Sequence, residues 1–401
     1  MMLFTCPRIH AERGLVDGYV LVDGGRIAAV GAGPVPASLE GVERVDLPDC
    51  HLIPGMIDLH IHGAGGWPVE PAGVEGLQAL GRYLAAFGVT GFLPSASAYP
   101  LADLESLAGR VRAATGVAYD GAAILGLHLE GPYLSPRRPG AMHLENLRTP
   151  SVSEAERLLA AGGGTVRRIS LAPELPGALD LIRYLARNGV TVAGAHTDAT
   201  YEETLAGIDA GVRLATHTYN AMRGLHHREP GALGAYLTDE RVTCEFIGDL
   251  LHVHPACVKL LLRAVGYERL CLISDAIPAA GLSPGHYRLW GRDLYIDEEG
   301  FSRLADGTIA GSTKLMLHGL RNLVEKLGVP WEQAVRMAAL NPARVIGISD
   351  RKGSLAPGKD ADLVAVGPDW QVRWTVVEGR VVRRPGDPPP ALNPEYVAAR
   401  A

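Results

Sequence analysis

Residues 52–63 read Leu52-Ile53-Pro54-Gly55-Met56-Ile57-Asp58-Leu59-His60-Ile61-His62-Gly63. The run is mostly apolar until it ends in His60-Ile61-His62. In an extended strand, side chains at i and i+2 leave from the same face. His60 and His62 would therefore stand side by side and could grip one cation from adjacent positions. A strand this apolar is expected to be buried, with the two histidines at its C-terminal mouth. Taken alone, the pair reads equally well as two satisfied core histidines. The rest of the chain decides, because it repeats the same design.

From about residue 52 to 345 the sequence cycles through apolar strand, polar turn and helix. Strands are expected near 53–61, 89–95, 123–130, 167–173, 190–196, 213–218, 243–248 and 269–275, with helices such as 101–114, 177–188 and 201–210 between them. Eight strands alternating with helices fit a (β/α)8 TIM-like barrel. An open doubly wound sheet or two separate α/β domains would share the alternation. No Gly-x-Gly-x-x-Gly follows a first strand, however, and no Walker A motif is present. On either side of the barrel the pattern turns to short strands. Residues 19–31 hold the hairpin signal Asp23-Gly24-Gly25 between apolar runs, and the tail offers Leu363-Val364-Ala365-Val366 and Val372-Arg373-Trp374-Thr375-Val376-Val377. Segments 1–51 and 346–401 are expected to meet in one small β-sandwich domain beside a catalytic barrel spanning 52–345.

Barrel active sites lie at the C-terminal strand ends, and the chemistry-bearing residues fall there. The first strand ends in His60 and His62, the third in Leu127-His128-Leu129-Glu130, the fifth in His196, the sixth in His217 and the eighth in Asp275. Four histidines and two carboxylates at five strand ends make a ligand set for one or two divalent metals. His/carboxylate ligands suit Zn, Fe, Mn or Co.

Composition narrows the classes further. The chain has 401 residues, 47% hydrophobic and 20% charged, as in a globular enzyme. A net charge of −6 gives no support to nucleic-acid binding as a main role. No apolar run is long enough to span a bilayer, and the first residues lack a signal-peptide pattern. The five cysteines (Cys6, Cys50, Cys244, Cys257 and Cys271) lack close pairs and read as buried thiols. A cytoplasmic protein with no membrane partner is expected. There are only five lysines, and none precedes Lys259.

With the later run Gly353-Ser354-Leu355-Ala356-Pro357-Gly358-Lys359-Asp360-Ala361-Asp362-Leu363, this ligand set resembles the amidohydrolase superfamily. Many two-metal members bridge their ions with a carbamylated lysine on the fourth strand. This chain has no lysine there, and Glu130 is the carboxylate placed to serve instead. The finer resemblance is to the N-acetylglucosamine-6-phosphate deacetylase family. It rests on His128-Leu129-Glu130-Gly131-Pro132-Tyr133, Ala195-His196-Thr197-Asp198-Ala199-Thr200, Thr216-His217-Thr218-Tyr219-Asn220-Ala221-Met222, Arg228-Glu229-Pro230-Gly231, Asp249-Leu250-Leu251-His252-Val253 and Ser274-Asp275-Ala276-Ile277-Pro278-Ala279-Ala280-Gly281.

That resemblance implies a hydrolase that frees acetate and D-glucosamine 6-phosphate. Glu130, His196 and His217 would bind the principal metal, His60 and His62 would allow a second, and Asp275 would act as acid and base. Asn220, Ala221, Arg228 and His252 would hold the sugar phosphate, and Ile309, Ala310 and Gly311 would line the sugar pocket. Asp249 of the strand-7 segment and Ala141-Met142 of the strand-3 loop would join the substrate-binding residues. His128 would orient the ligand shell or touch the substrate carbonyl. The resemblance also implies a homodimer in which Arg228 reaches the partner's site.

Two departures stand out. In Gly140-Ala141-Met142-His143, either Met142 takes the place of the family's histidine or the loop is shifted by one and His143 takes it. Leu250 stands where the family usually has glycine. Two other classes remain to be separated: a different deacylase or deaminase on the same scaffold, such as a D-amino-acid deacylase, and a barrel that has lost catalysis. Asn220-Ala221-Met222 and Arg228-Glu229-Pro230-Gly231 argue against the first, because they suit a phosphorylated sugar. The intact set of six ligands argues against the second.

Overall fold

The computed structural model describes residues 1–398. Eight parallel strands make the barrel, in chain order Met56–Ile61, Val89–Ala96, Leu127–Glu130, Val166–Leu171, Thr191–Gly194, Val212–Ala215, Thr243–Ile247 and Leu270–Ile273. Successive strands are hydrogen-bonded in that order. The first and eighth meet just past the ladder, where Asp275 N–H donates to His60 O at 2.9 Å and His62 N–H to Ala276 O at 2.7 Å. That closure brings His60, His62 and Asp275 together.

Two glycines set the ends of strands that the sequence ran together. At Gly55 a Cβ would meet Thr90 Oγ1 at 2.0 Å, so the chain passes tightly there from His51–Pro54 of the small sheet into the first barrel strand. Gly126, at φ +138°, separates the short Ala123–Ile124 pairing from the third barrel strand. No Cβ fits there, since it would lie 2.5 Å from Thr165 O.

The first strand is buried throughout, as a parallel strand covered on both faces must be. Ile57 and Leu59 pack with Leu93, Ile247, Ile273 and Ala343, the last on the helix Leu340–Val345. At the strand's end His60 and His62 stand together, their Nε2 atoms 3.1 Å apart. The helices Leu101–Ala114, Ala178–Arg187 and Tyr201–Ala210 lie where the periodicity placed them. In the last of these the Thr200 hydroxyl accepts from Glu203 N–H while the Glu203 carboxylate accepts from Thr200 N–H, which satisfies two donors of the first turn.

N-terminal strands Met2–Ala11, Gly14–Asp23, Arg26–Ala32, Glu43–Asp46 and His51–Pro54 join Leu363–Val366, Val372–Val377 and Arg380–Arg383 in one connected eight-stranded sheet. The sheet has its own apolar core, including Phe4, Val20, Ile27, Leu52, Leu363 and Val376. Buried Lys352 bonds Asp362 at 2.9 Å and anchors the run that carried part of the resemblance.

One unit was not foreseen. After the eighth strand, Gly285–Leu289, Arg292–Ile296 and Ser302–Leu304 form a three-stranded antiparallel sheet. Its apolar face carries Tyr287, Leu289, Leu294 and Ile296 and packs on Ile277 and Ala279. No helix among the described residues is long and apolar enough to cross a membrane.

Candidate metal centre and substrate cavity

Glu130, the last residue of the third strand, stands between two pairs of histidines. Its Oε2 is 3.3 Å from His60 Nε2 and 3.2 Å from His62 Nε2. Its Oε1 is 2.9 Å from His217 Nε2 and 3.3 Å from His196 Nε2. Asp275 Oδ1 closes the first pair, at 3.4 Å from His60 and 3.5 Å from His62. The donors fall into two compact buried groups, His60–His62–Asp275 and Glu130–His196–His217, each compact enough to hold one ion. All six residues expected as ligands or catalyst are thus brought together.

The backbone pays for this convergence in strain. His196, His217 and Asp275 have φ of +42°, +29° and +49°, left-handed values that cost a non-glycine residue about 1–3 kcal/mol each. Each is at a strand end, where the left-handed turn aims the side chain inward. Leu250, where the resemblance puts glycine, has φ +63° and carries the same penalty.

The residues fit a divalent cation. Two Nε2 atoms lie 3.1 Å apart in one group and 3.2 Å apart in the other, and each pair faces a carboxylate oxygen. His196 Nδ1 is 2.8 Å from Arg138 O, which fixes its N–H on the outside and leaves the Nε2 lone pair facing Glu130. Burial would hold His60 neutral, yet Glu130 and Asp275 draw its pKa up to about 10. The cage favours positive charge.

Below the cage the barrel interior carries a layer of buried polar residues. His128 Nδ1 is 2.9 Å from Ser95 Oγ and its Nε2 2.8 Å from Ser170 Oγ. The second and fourth strands, which give no ligand, supply these serines. With both ring nitrogens engaged and no exposure, His128 does not reach the cavity, and the expectation of a substrate contact is corrected. Its ring meets that of His60 edge-on at 4.6 Å, so it steadies a ligand instead. Deeper still, Arg168 forks onto Glu245 and also donates to Thr216 Oγ1 at 2.9 Å. Asp58, buried and pushed up to about 6 by desolvation, accepts from the N–H groups of His60 and Ser274. Neither the Arg168–Glu245 pair nor Asp58 had been singled out in the sequence. Their signal was charged residues within otherwise apolar strands.

A cavity of about 490 Å³ opens onto the cage. Of the expected substrate residues, Ala141, Met142, Asn220, Ala221, His252, Ile309 and Gly311 line it. Met142 takes the wall position, whereas His143 turns away and its Nε2 lies 3.1 Å from Trp290 O. Two expectations need correction. Ala310 is buried in the core of the added sheet. Asp249 is used up behind the wall, bonding the N–H groups of Leu251 and His252, His252 Nδ1 at 2.7 Å and Ser312 Oγ at 2.8 Å. Its role is to hold His252, whose Nε2 is left without a partner. Burial opposes a proton on His252, but the Asp249 carboxylate outweighs it and raises the pKa. Arg228 lies on the exposed loop His226–Glu229 and bonds its neighbour His227, outside this chain's own cavity.

The cavity has other cations, unforeseen in the sequence. Arg137, Arg138 and Arg303 line it. Arg138 is 2.9 Å from Asp198, a carboxylate held down to about 2 by Arg223 and then Arg138. Arg303 lies over the Phe301 ring at 4.3 Å, and that ring stacks in turn with His252. The positions of Arg303 and Trp290 follow from the added sheet, whose signal was the alternation around Trp290-Gly291.

The model of the amidohydrolase family matches residues 51–382. An N-acetylglucosamine-6-phosphate deacetylase of Vibrio furnissii is 38% identical over 385 residues, 94% of each chain. An N-acetylgalactosamine-6-phosphate deacetylase of Escherichia coli O157:H7 is 39% identical over 376 residues, 93% of this chain and 97% of that one. The crystal structure of N-acetyl-D-glucosamine-6-phosphate deacetylase from Mycobacterium smegmatis is 38% identical, with a TM-score of 0.89 over 95% of this chain and all of that one. This chain belongs to the amidohydrolase family, in its N-acetylglucosamine-6-phosphate deacetylase group.

Proposed function

We propose that the protein hydrolyses the acetamide of N-acetyl-D-glucosamine 6-phosphate to D-glucosamine 6-phosphate and acetate, as a metal-dependent cytoplasmic homodimer of amino-sugar catabolism. The observation that carries this reading is Glu130, set between two histidine pairs at a cavity whose walls also bear amide, imidazole and guanidinium donors. Glu130, His196 and His217 would hold one divalent ion (Zn, Fe, Mn or Co), and His60, His62 and Asp275 offer a second place. When bound, such an ion supplies Lewis acidity, polarising an amide carbonyl and acidifying water.

The chain's own residues do the rest. Asp275 borders the cavity and takes the proton of the attacking water, then passes it to the nitrogen that leaves. That transfer lets the nitrogen depart as a neutral amine. Asn220, His252 and Arg303 offer neutral and charged donors to a phosphate, fixing the sugar so that its acetamide meets the cage. Arg228, exposed here, would complete a partner subunit's site.

The galacto epimer is a second reading, favoured by the Escherichia coli relative. The test is acetate release from both N-acetylhexosamine 6-phosphates, from their unphosphorylated parents and from an N-acetyl-D-amino acid. The gluco phosphate should be turned over fastest. Faster release from the amino acid would overturn the reading, and faster release from the galacto phosphate would move it to the epimer.

A further inference from the structure

Trp290 is at the turn between Gly285–Leu289 and Arg292–Ile296, in a left-handed conformation with φ +49°. Two bonds clamp that turn to the strand-3 loop: His143 Nε2 lies 3.1 Å from Trp290 O, and Arg292 donates to Ala141 O. Held this way, the indole borders the cavity beside Glu130 and Asp275. Its ring centre is 5.6 Å from that of His62, with the two planes at 85°. Trp290 and Ala141 pack on the cluster that contains Ile277, and all three line the cavity. They form an apolar wall next to a cage that is otherwise ionic.

An amide whose carbonyl reaches the cage carries its acyl substituent one bond away. Because Glu130 lies between the two groups of donors, the wall that flanks His62 is within reach of that substituent. We propose that Trp290, backed by Ala141 and Ile277, receives the acyl methyl and confines the enzyme to acetyl amides. This rests on the deacetylase reading above. Specificity then comes from the turn being pinned at both ends, since a free turn would yield to a longer chain. A rigid wall discriminates by about 10-fold or more for each methylene it excludes.

The competing role for a tryptophan here is to stack on the sugar ring, which would serve every acyl derivative equally. N-acetyl, N-propionyl and N-butyryl glucosamine 6-phosphates, assayed by amine release, separate the two. In Trp290→Ala, with metal content retained, kcat/KM for the butyryl compound relative to the acetyl one should rise by about 10-fold or more. Trp290→Phe, which keeps an apolar wall and guards against a folding defect, should shift the ratio less. A uniform fall for all three amides, or a wild-type protein that already takes butyryl as well as acetyl, would overturn the proposal while leaving the deacetylase reading intact. Failure of the wild-type protein to release acetate at all would sink both.

Discussion

Arg168 and Glu245 face each other inside the barrel, both side chains without exposure, with one guanidinium nitrogen 2.7 Å from Glu245 Oε2. The same carboxylate oxygen is 3.9 Å from His60 Nδ1, so the pair supports the cage from below. Breaking a buried pair leaves one charge uncompensated, at a cost of about 3–5 kcal/mol. Glu245→Gln should lose stability on that scale in denaturant unfolding. Adding Arg168→Met should return part of it. An unchanged unfolding midpoint for Glu245→Gln would contradict the arrangement.

Glu130 faces both groups of donors, so its loss should be felt in both. Glu130→Gln should lose bound metal and nearly all turnover, whereas His62→Ala should keep the ion held by Glu130, His196 and His217. Metal analysis of purified variants decides. Full metal content in Glu130→Gln would remove it from the ligand set.

Asp275→Asn should keep the fold and much of the metal yet lower kcat by about 10²–10⁴-fold, because an amide cannot take the proton of water. The ascending limb of the pH–rate profile should change with it. Near-normal kcat would move the base elsewhere, and His128 could not replace it, since Ser95 and Ser170 engage both its nitrogens.

Two arginines compete for the phosphate. Arg303 lines this chain's cavity, while Arg228 is outside it. Arg303→Ala should raise KM for the phosphorylated sugar about 10-fold or more, the scale of a charge-assisted hydrogen bond of about 1.5–3 kcal/mol, and leave the unphosphorylated parent unchanged. If Arg228 acts across a dimer, mixing Arg228→Ala with Glu130→Gln should rebuild one intact site per hybrid and recover activity. Equal losses on both sugars for Arg303→Ala would deny it the phosphate, and no recovery from proven hybrids would deny Arg228 a role across the dimer.

The barrel and its six cage residues were legible because both follow from short-range rules. Period-2 placement put His60 beside His62, and strand ends collected Glu130, His196, His217 and Asp275. What the sequence hid depends on long-range contacts. Nothing local says that Asp249 spends its oxygens on His252 and Ser312, or that Ser95 and Ser170, 75 residues apart in the chain, clasp His128 from two sides. Ala310 was misplaced for a similar reason: alternation sends it into the added sheet while Ile309 and Gly311 face the cavity. That sheet was overlooked because its strands are short and follow the last expected barrel strand.

A deacetylase that depends on its ion and selects a sugar phosphate must lose activity with its metal and discriminate between two sugars. Protein stripped of metal by a chelator, then titrated with Zn, Fe, Mn or Co, should be measured for acetate release from N-acetylglucosamine 6-phosphate and from its unphosphorylated parent. The stripped protein should be inactive, activity should return as ion is added, and the phosphorylated sugar should be strongly preferred. Full turnover without metal, or equal turnover of the two sugars, would contradict the account.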